Sequence, residues 1–537
     1  MNRCIVALIL SGYVGSASAW TKNGRAYSTD GSQADVASAV ANALAGDIVQ
    51  VPAGTFTWGA GRSGVAVNQK ITLQGAGATL TTIVLSESGP TYGTGVIQLN
   101  AAATIRDFSI TGSSGTVTAF SCYGVNGWRV TNIHFDGGAG SGYFLYAGSY
   151  GLIDDCQLTG NNGSAEWIFS RGPTNSWQTP SSLGTAEAVY IEDCVFGGQG
   201  YVSDANSNAR MVVRFCTMNG SNKVDAHGVA SNTPPRGCRQ IEVYGNSWTS
   251  TGGYFADIEI RGGTGMLFDN SDQNPQGGWF FLSDYGYLGK WPNFGSRYLT
   301  PADYPIADQI GVGQDPILAG SEPLYAWNNS RLGVPWARTV RTPDAAAITA
   351  YGKDFKETDV IAADRDYFWS VANFDGSTGI GRGTKAQMTE IVPTKVGVGY
   401  WVTDEGDWNA RHPGTDGRLY AWTGSDWTAR YMPYSYPHPL RLPDGNSGID
   451  RRGRGAAFRG AVTGLDKGHL VVDLESSAEV EATLHSQSGR SMALPIHGTY
   501  QAGRTLVPLG KTIPTGLYMV RSRIGGGSPT VVHLVVE

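Results

Sequence analysis

Hydrophobic and polar positions alternate in short bursts along most of this chain, and the bursts repeat. Segments of the form apolar–x–polar–x–apolar recur, with some slippage, as Val130-Thr-Asn-Ile-His-Phe, Ile153-Asp-Asp-Cys-Gln-Leu, Ile191-Glu-Asp-Cys-Val-Phe, Val213-Arg-Phe-Cys-Thr-Met, Val243-Tyr-Gly-Asn-Ser-Trp and Leu267-Phe-Asp-Asn-Ser. Their fourth positions form a column of Ile133, Cys156, Cys194, Cys216, Asn246 and Asn270, at steps of 23, 38, 22, 30 and 24 residues. A basal period just above 20, lengthened by inserted loops, is the period of one coil of a parallel β-helix. The column is then an internal ladder, with Cys as a small buried hydrophobe and Asn hydrogen-bonded along the stack.

Seven to eleven residues after each ladder position a second strand is expected: Tyr143-Phe-Leu-Tyr-Ala-Gly, Trp167-Ile-Phe-Ser-Arg-Gly, Tyr201-Val-Ser-Asp-Ala-Asn, Lys223-Val-Asp-Ala-His-Gly, Asp257-Ile-Glu-Ile-Arg-Gly and Phe281-Leu-Ser-Asp-Tyr-Gly. Ile168, Val202, Val224, Ala226, Ile258, Ile260 and Leu282 take the inward sites, because side chains alternate faces along a strand. Three outward rows follow: Tyr143, Trp167, Tyr201, Lys223, Asp257, Phe281; then Leu145, Phe169, Ser203, Asp225, Glu259, Ser283; then Ala147, Arg171, Ala205, His227, Arg261, Tyr285. A charged centre on two coils is thus flanked by aromatics. Aromatic faces beside polar groups along a groove are what sugar rings need.

The start of the chain fits the same architecture. Residues 33–45 carry Val36, Ala39, Val40, Ala43 and Leu44 at helical spacing, which predicts a short amphipathic helix before a first strand at Asp47-Ile-Val-Gln-Val-Pro. The opening GDIVQVPAGTFTW after that helix, the following ITLQGAG and the ladder of short coils resemble the right-handed parallel β-helix proteins of the pectate-lyase-like superfamily. The resemblance covers roughly residues 25–330 and implies the fold; that superfamily spans lyases, hydrolases, esterases, epimerases and phage tailspikes, so it implies no single reaction.

Composition agrees with an exported β-rich protein. The chain holds 75 Gly, 11% aromatic and only 16% charged residues, with a net charge of −6. No global basic field invites nucleic acid. Met1-Asn-Arg3, the apolar run Cys4–Val14 and Ala17-Ser-Ala19 read as a secretory signal over residues 1–19, placing the mature chain outside the cell or on its surface. No later run is long and apolar enough for stable membrane insertion. The remaining cysteines, Cys122, Cys156, Cys194, Cys216 and Cys238, are odd in number and lack a CxxC pair, which argues against a disulfide framework or a zinc site.

The β-helix is expected over 20–345 and an aromatic-rich β extension over 346–444. A basic Gly-rich linker follows at 445–460, then a small β-sandwich over 461–537. The last segment, with its Ser488-Gly-Arg turn, Ile513-Pro-Thr-Gly-Leu-Tyr-Met-Val-Arg and terminal strand, resembles the C-terminal sorting domains of exported Bacteroidetes- and Fibrobacter-type proteins. That implies secretion machinery as a partner, although the usual short basic end is replaced by Val536-Glu537. An accessory immunoglobulin-like module is the other reading.

Two chemistries compete for the charged centre. A polysaccharide lyase acting on a uronate needs a base, Lys223 or His227, and a carboxylate holder, Arg261. Asp225, Asp257 and Glu259 would orient these cations or bind Ca²⁺. Trp167, Arg171, Tyr201, Arg236, Arg239, Phe281 and Tyr285 would line the substrate groove. A glycoside hydrolase would pair Asp225 with Asp257 or Glu259. The intermixed Lys, His and Arg favour the lyase, on an acidic polysaccharide. A non-catalytic glycan-binding or tailspike-like role is the third reading.

Overall fold

The computed structural model describes residues 19–59, 64–86, 94–112, 118–137, 143–228, 236–249, 256–275, 279–282, 308–313, 321–340, 361–410 and 416–441. Beyond these it describes the backbone of strands within 460–536. The chain divides into two units, residues 1–441 and 442–537.

The first unit is a parallel β-helix. The short helix forms at Gln33–Asn42, and its N-cap Ser32 accepts a hydrogen bond from the Asp35 amide. Val130, Ile153, Ile191, Val213, Val243 and Leu267 are Cα partners on successive parallel strands, followed by Ala326 and Trp369. The repeat therefore stacks in the expected register and reaches residue 369, past the expected boundary at 345.

The ladder lies inside. Asn246 Nδ2 donates to the Val213 carbonyl at 2.9 Å and to Asn270 Oδ1 at 3.0 Å; Asn270 Nδ2 donates to Val243 O and Asn329 Oδ1, both at 2.8 Å. Cys156, Cys194 and Cys216 are buried in the same column. The residue just before each ladder position turns the chain through the left-handed region: Asp107, Asn132, Asp155, Asp193, Phe215, Gly245, Asp269 and Asn328 all have φ between 51° and 69°. Asp, Asn and Gly suit that conformation, and Phe does not. The repeated Asp/Asn/Gly is thus the corner of each coil.

The other stack is a ten-stranded sheet from Val65–Val67 to Arg338–Val340, with every pairing parallel. Val224, Ala226, Ile258, Ile260 and Leu282 face the core, fully buried. After the last coil, strands Ile380–Gly383, Gly399–Val402, Arg418–Trp422 and Trp427–Tyr431 form a small sheet. Its aromatics are core. Trp401 packs on Trp327 at 4.8 Å between ring centroids, and Trp327 stacks on Phe268 at 4.5 Å. The stretch 434–441 is pinned to the coils: Arg214 donates to the Tyr434 and Ser435 carbonyls, and Arg441 pairs with Asp154, Asp155, Glu192 and Asp193.

The second unit consists of two antiparallel sheets. One is built from Gly460–Asp466, His469–Leu474 and Gly503–Pro508. The other holds Ser491–Tyr500, Ala478–Ser486, Gly516–Ile524 and Thr530–Val536. The expected linker lies almost wholly, and the signal segment wholly up to residue 18, outside the described residues. Among the described residues no helix is long and apolar enough to cross a membrane.

Candidate active site

The charged centre sits on the ten-stranded sheet, but three irregularities of register rearrange its rows. Tyr201 pairs with Lys223 while Ser203 pairs with Val224, so Val202 is one residue extra. A single inserted residue swaps the faces of everything after it. Ser203 therefore turns inward, and Asp204 takes its place outside. Trp167, between the Glu166–Tyr201 and Ile168–Ser203 pairs, stands opposite Val202 and likewise enters the core, where it stacks on Phe196 at 5.6 Å. The observed row is Tyr146, Phe169, Asp204, Asp225 and Glu259, with Phe281 next in register. Leu145 and Ala147, expected outward, are buried in the core.

Asp225 is the hub. Arg261 Nε donates to Asp225 Oδ1 at 3.0 Å and its Nη2 to Oδ2, a two-point grip on a wholly buried carboxylate. Lys223 Nζ lies 2.6 Å from Glu259 Oε2 and 3.5 Å from Asp225 Oδ2, and stands over the Tyr201 ring at 4.1 Å. Burial pushes the Asp225 carboxyl up, but Arg261 and Lys223 outweigh it and hold the group below its ordinary value.

Its neighbour is treated in the opposite way. Asp204 is pushed up, first by burial and then by the charge of Asp225. Among the described residues its Oδ2 accepts a 3.3 Å bond from Asn206 Nδ2, and its buried Oδ1 has no hydrogen-bond partner. Glu166 is also pushed up to about 7, by burial and then by Asp204. Burial, and next Arg261, lower His227, so the imidazole is neutral. His227 Nδ1 lies 2.8 Å from the Gly228 carbonyl, so Nδ1 carries the proton and Nε2 the lone pair.

The remaining expected residues divide. Arg171 is exposed and lies 5.5 Å from both the Tyr146 and Phe169 rings, which stack at 4.8 Å. Asp257 is the extra residue of a bulge between Ala256 and Ile258, and its carboxyl meets that of Asp272, away from Asp225 and Glu259. The three proposed calcium ligands thus do not converge. Among the described residues no cluster of three or more metal-ligating side chains does. Arg239 is a buried anchor rather than a groove residue: it pairs with Glu322 at 2.7 Å and donates to the Ser176 and Thr179 carbonyls. Arg236 is bound to Asp308, its Nε at 2.7 Å, and lies 4.9 Å from the Trp177 ring. Tyr285 and the segment 229–235 lie outside the described residues, as does the side chain of Phe281.

Asp204, Glu166 and Asn206 are the site residues the sequence reading left out. One signal pointed to the first: Asp204 lies 21 residues before Asp225, one basal coil period. No family model matches the chain, and no curated protein matches it by sequence. Among solved structures the chain is similar to Geobacillus virus E2 ORF18, at 15% identity and a TM-score of 0.28, covering 47% of this chain and 55% of that one. It is also similar to a pectin methylesterase of Erwinia chrysanthemi (10% identity, TM-score 0.30, 62% of this chain and 93% of that one). A third is the A-module of a mannuronan C-5 epimerase of Azotobacter vinelandii (11% identity, TM-score 0.27, 59% and 96%). These likenesses are too distant to transfer the role of any residue.

Proposed function

We propose that this protein is a carbohydrate-active hydrolase that works with a carboxyl pair, Asp204 as general acid and Asp225 as nucleophile or base. One observation carries the reading: two facing carboxyls whose surroundings drive their protonation apart, Asp204 up to about 7 and Asp225 below its ordinary value. Such a divergence is how an acid and a base are assigned within one site. The unpartnered Asp204 Oδ1 is where a leaving-group oxygen would receive its proton. Arg261 and Lys223 keep Asp225 charged and fix its orientation. The row continues into the Tyr146–Phe169 stack topped by Arg171, an apolar face beside a cation that suits a sugar ring bearing an acid.

Adjacent parallel strands lie about 4.8 Å apart. That backbone spacing is nearer the roughly 5–5.5 Å between the carboxyls of retaining glycosidases than the roughly 6.5–9.5 Å of inverting ones. If the scissile bond is glycosidic, the product should retain its anomeric configuration. The same pair would serve an ester of a glycan.

A second reading, β-elimination on a uronate-containing polysaccharide, is favoured by His227 alone. Its neutral imidazole, with the lone pair on Nε2 and Arg261 on the neighbouring strand, is a competent base beside a carboxylate holder. Lys223 suits the role less, since it is an ammonium set between two carboxylates.

Pectate, alginate, glycosaminoglycan and neutral glycans should be tested with new reducing ends, released ester groups and ultraviolet absorbance as readouts. Reducing ends or ester release without absorbance, abolished by Asp204→Asn, supports hydrolysis. An absorbing unsaturated product, lost in His227→Ala but not in Asp204→Asn, replaces it with the lyase. Binding without any cleavage would leave a non-catalytic glycan-binding protein.

A further inference from the structure

A second feature lies on the corner of the coils that carries the left-handed residues. Phe215, Gly245, Asp269 and Asn328 occupy that corner on four successive coils. Together with Arg382, Trp408 and Asp416 of the segment after the last coil they line a cavity of about 460 Å³. That volume is in the range of small-ligand sites, roughly 300–1,000 Å³. Three coil steps at about 4.8 Å make it some 14 Å long, a trough rather than a round pocket.

Two properties set this trough apart from the rest of the corner. Among the described residues Phe215 is the one aromatic residue at a corner position filled elsewhere by Asp, Asn or Gly. Its φ of 55° costs a bulky side chain on the order of 1–2 kcal/mol. The ring is half-buried, stacked near-parallel to Trp408 at 6.4 Å and packed on Tyr436 at 4.0 Å. Unfavourable backbone retained at a cavity wall marks a position where the side chain is needed. The second property is a missing partner. Trp408 is 4% exposed, lines the cavity, and its indole N–H has no hydrogen-bond acceptor among the described residues. A buried, unmade hydrogen bond costs about 1–3 kcal/mol, and a ligand oxygen would remove that cost.

The polar groups define the ligand. Asp269 is pushed up by burial, and the Asn328 amide donates to it; Asp416 is pushed up by burial and accepts from the Asn409 amide at 2.8 Å. Arg382 is exposed at the mouth. Carboxyls, an amide and a guanidinium beside aromatic rings match hydroxyl groups that both donate and accept. Two carboxyls on the wall disfavour an anion.

We infer that this trough is a second saccharide site, taking a neutral oligosaccharide along the coil axis, separate from the carboxyl pair on the ten-stranded sheet. The inference does not depend on which reaction the first site performs.

It is tested by binding alone. Full-length protein is titrated with maltotriose, mannotriose, galactotriose and trigalacturonate, followed by tryptophan fluorescence and saturation-transfer NMR. The variants are Phe215→Asn, which suits the left-handed corner and removes the ring, and Trp408→Phe, which removes the N–H. Asp204→Asn is the control. At least one neutral trimer should bind with a millimolar or tighter Kd, weakened fivefold or more in both trough variants and unchanged in Asp204→Asn. Phe215→Asn should melt no lower than the parent. The inference is overturned if no neutral trimer binds, if binding survives both trough substitutions, if Asp204→Asn abolishes it, or if the trough substitutions weaken trigalacturonate more than every neutral trimer.

Discussion

Asp204 and Asp225 are Cα partners on adjacent parallel strands, yet their surroundings move the two carboxyls in opposite directions, Asp204 up to about 7 and Asp225 below its ordinary value. Like charges facing each other across strands are destabilising, and the conflict resolves by neutralising one member. Position relative to Arg261 decides which: its guanidinium grips Asp225 at both oxygens, while Asp204 has a single weak amide bond.

Activity should therefore be highest in mildly acidic solution. The acid, Asp204, is lost as pH rises through about 7, and the ionised partner, Asp225, is lost only well into acid. A kcat/KM profile from pH 3 to 9 checks this. Asp204→Asn should lower kcat by about 100-fold or more and abolish the alkaline limb.

Stability should respond in the same direction. Asp204 has a raised pKa in the folded chain, so its protonated form contributes stability that is fully present below the unfolded value near 3.8 and lost as pH rises through about 7. The neutral Asp204→Asn variant should then melt higher than the parent at pH 8 and show little gain at pH 4. Thermal melts at the two pH values decide it.

Lys223 holds two buried carboxylates, so truncating it should cost more than its own contacts. Lys223→Ala should destabilise by about 3–5 kcal/mol, because Glu259 and Asp225 lose a buried counter-charge. Adding Glu259→Gln should restore part of the loss, a coupling that a double-mutant cycle in denaturant reads directly.

The two halves of the ladder should differ in sensitivity. Asn270 satisfies Asn246, Asn329 and the Val243 carbonyl, so Asn270→Ala should cost about 2–4 kcal/mol. Cys194 donates weak sulfur hydrogen bonds to the Glu192 and Ile153 carbonyls, at 3.4 and 3.8 Å, and Cys194→Ala should cost about 1 kcal/mol. Urea unfolding of both variants measures the difference.

The fold was legible because a β-helix repeats its constraints on every coil. Val130, Ile153, Ile191, Val213, Val243 and Leu267 each must bury an apolar group at the same place, so the repeat shows register and ladder without coordinates. Asp225 beside Glu259 and His227 beside Arg261 followed from the same alternation. The aromatic run after residue 369 was legible as β and rich in rings, but not as the cover over Tyr244, Phe268 and Trp327.

What the linear pattern left undecided is which face a residue takes after a bulge. Val202 and Asp257 are ordinary members of an alternating string, and nothing in Tyr201-Val-Ser-Asp or Asp257-Ile-Glu marks one residue as extra. A strand has a period of two, so that single insertion moved Asp204 out to face Asp225, and Trp167, opposite Val202, turned into the core. The sequence alone determined the coil, its ladder and the charged strands. Only the tertiary structure decided which carboxyl stands opposite Asp225, because bulges arise from how neighbouring coils fit and not from any one segment's own pattern.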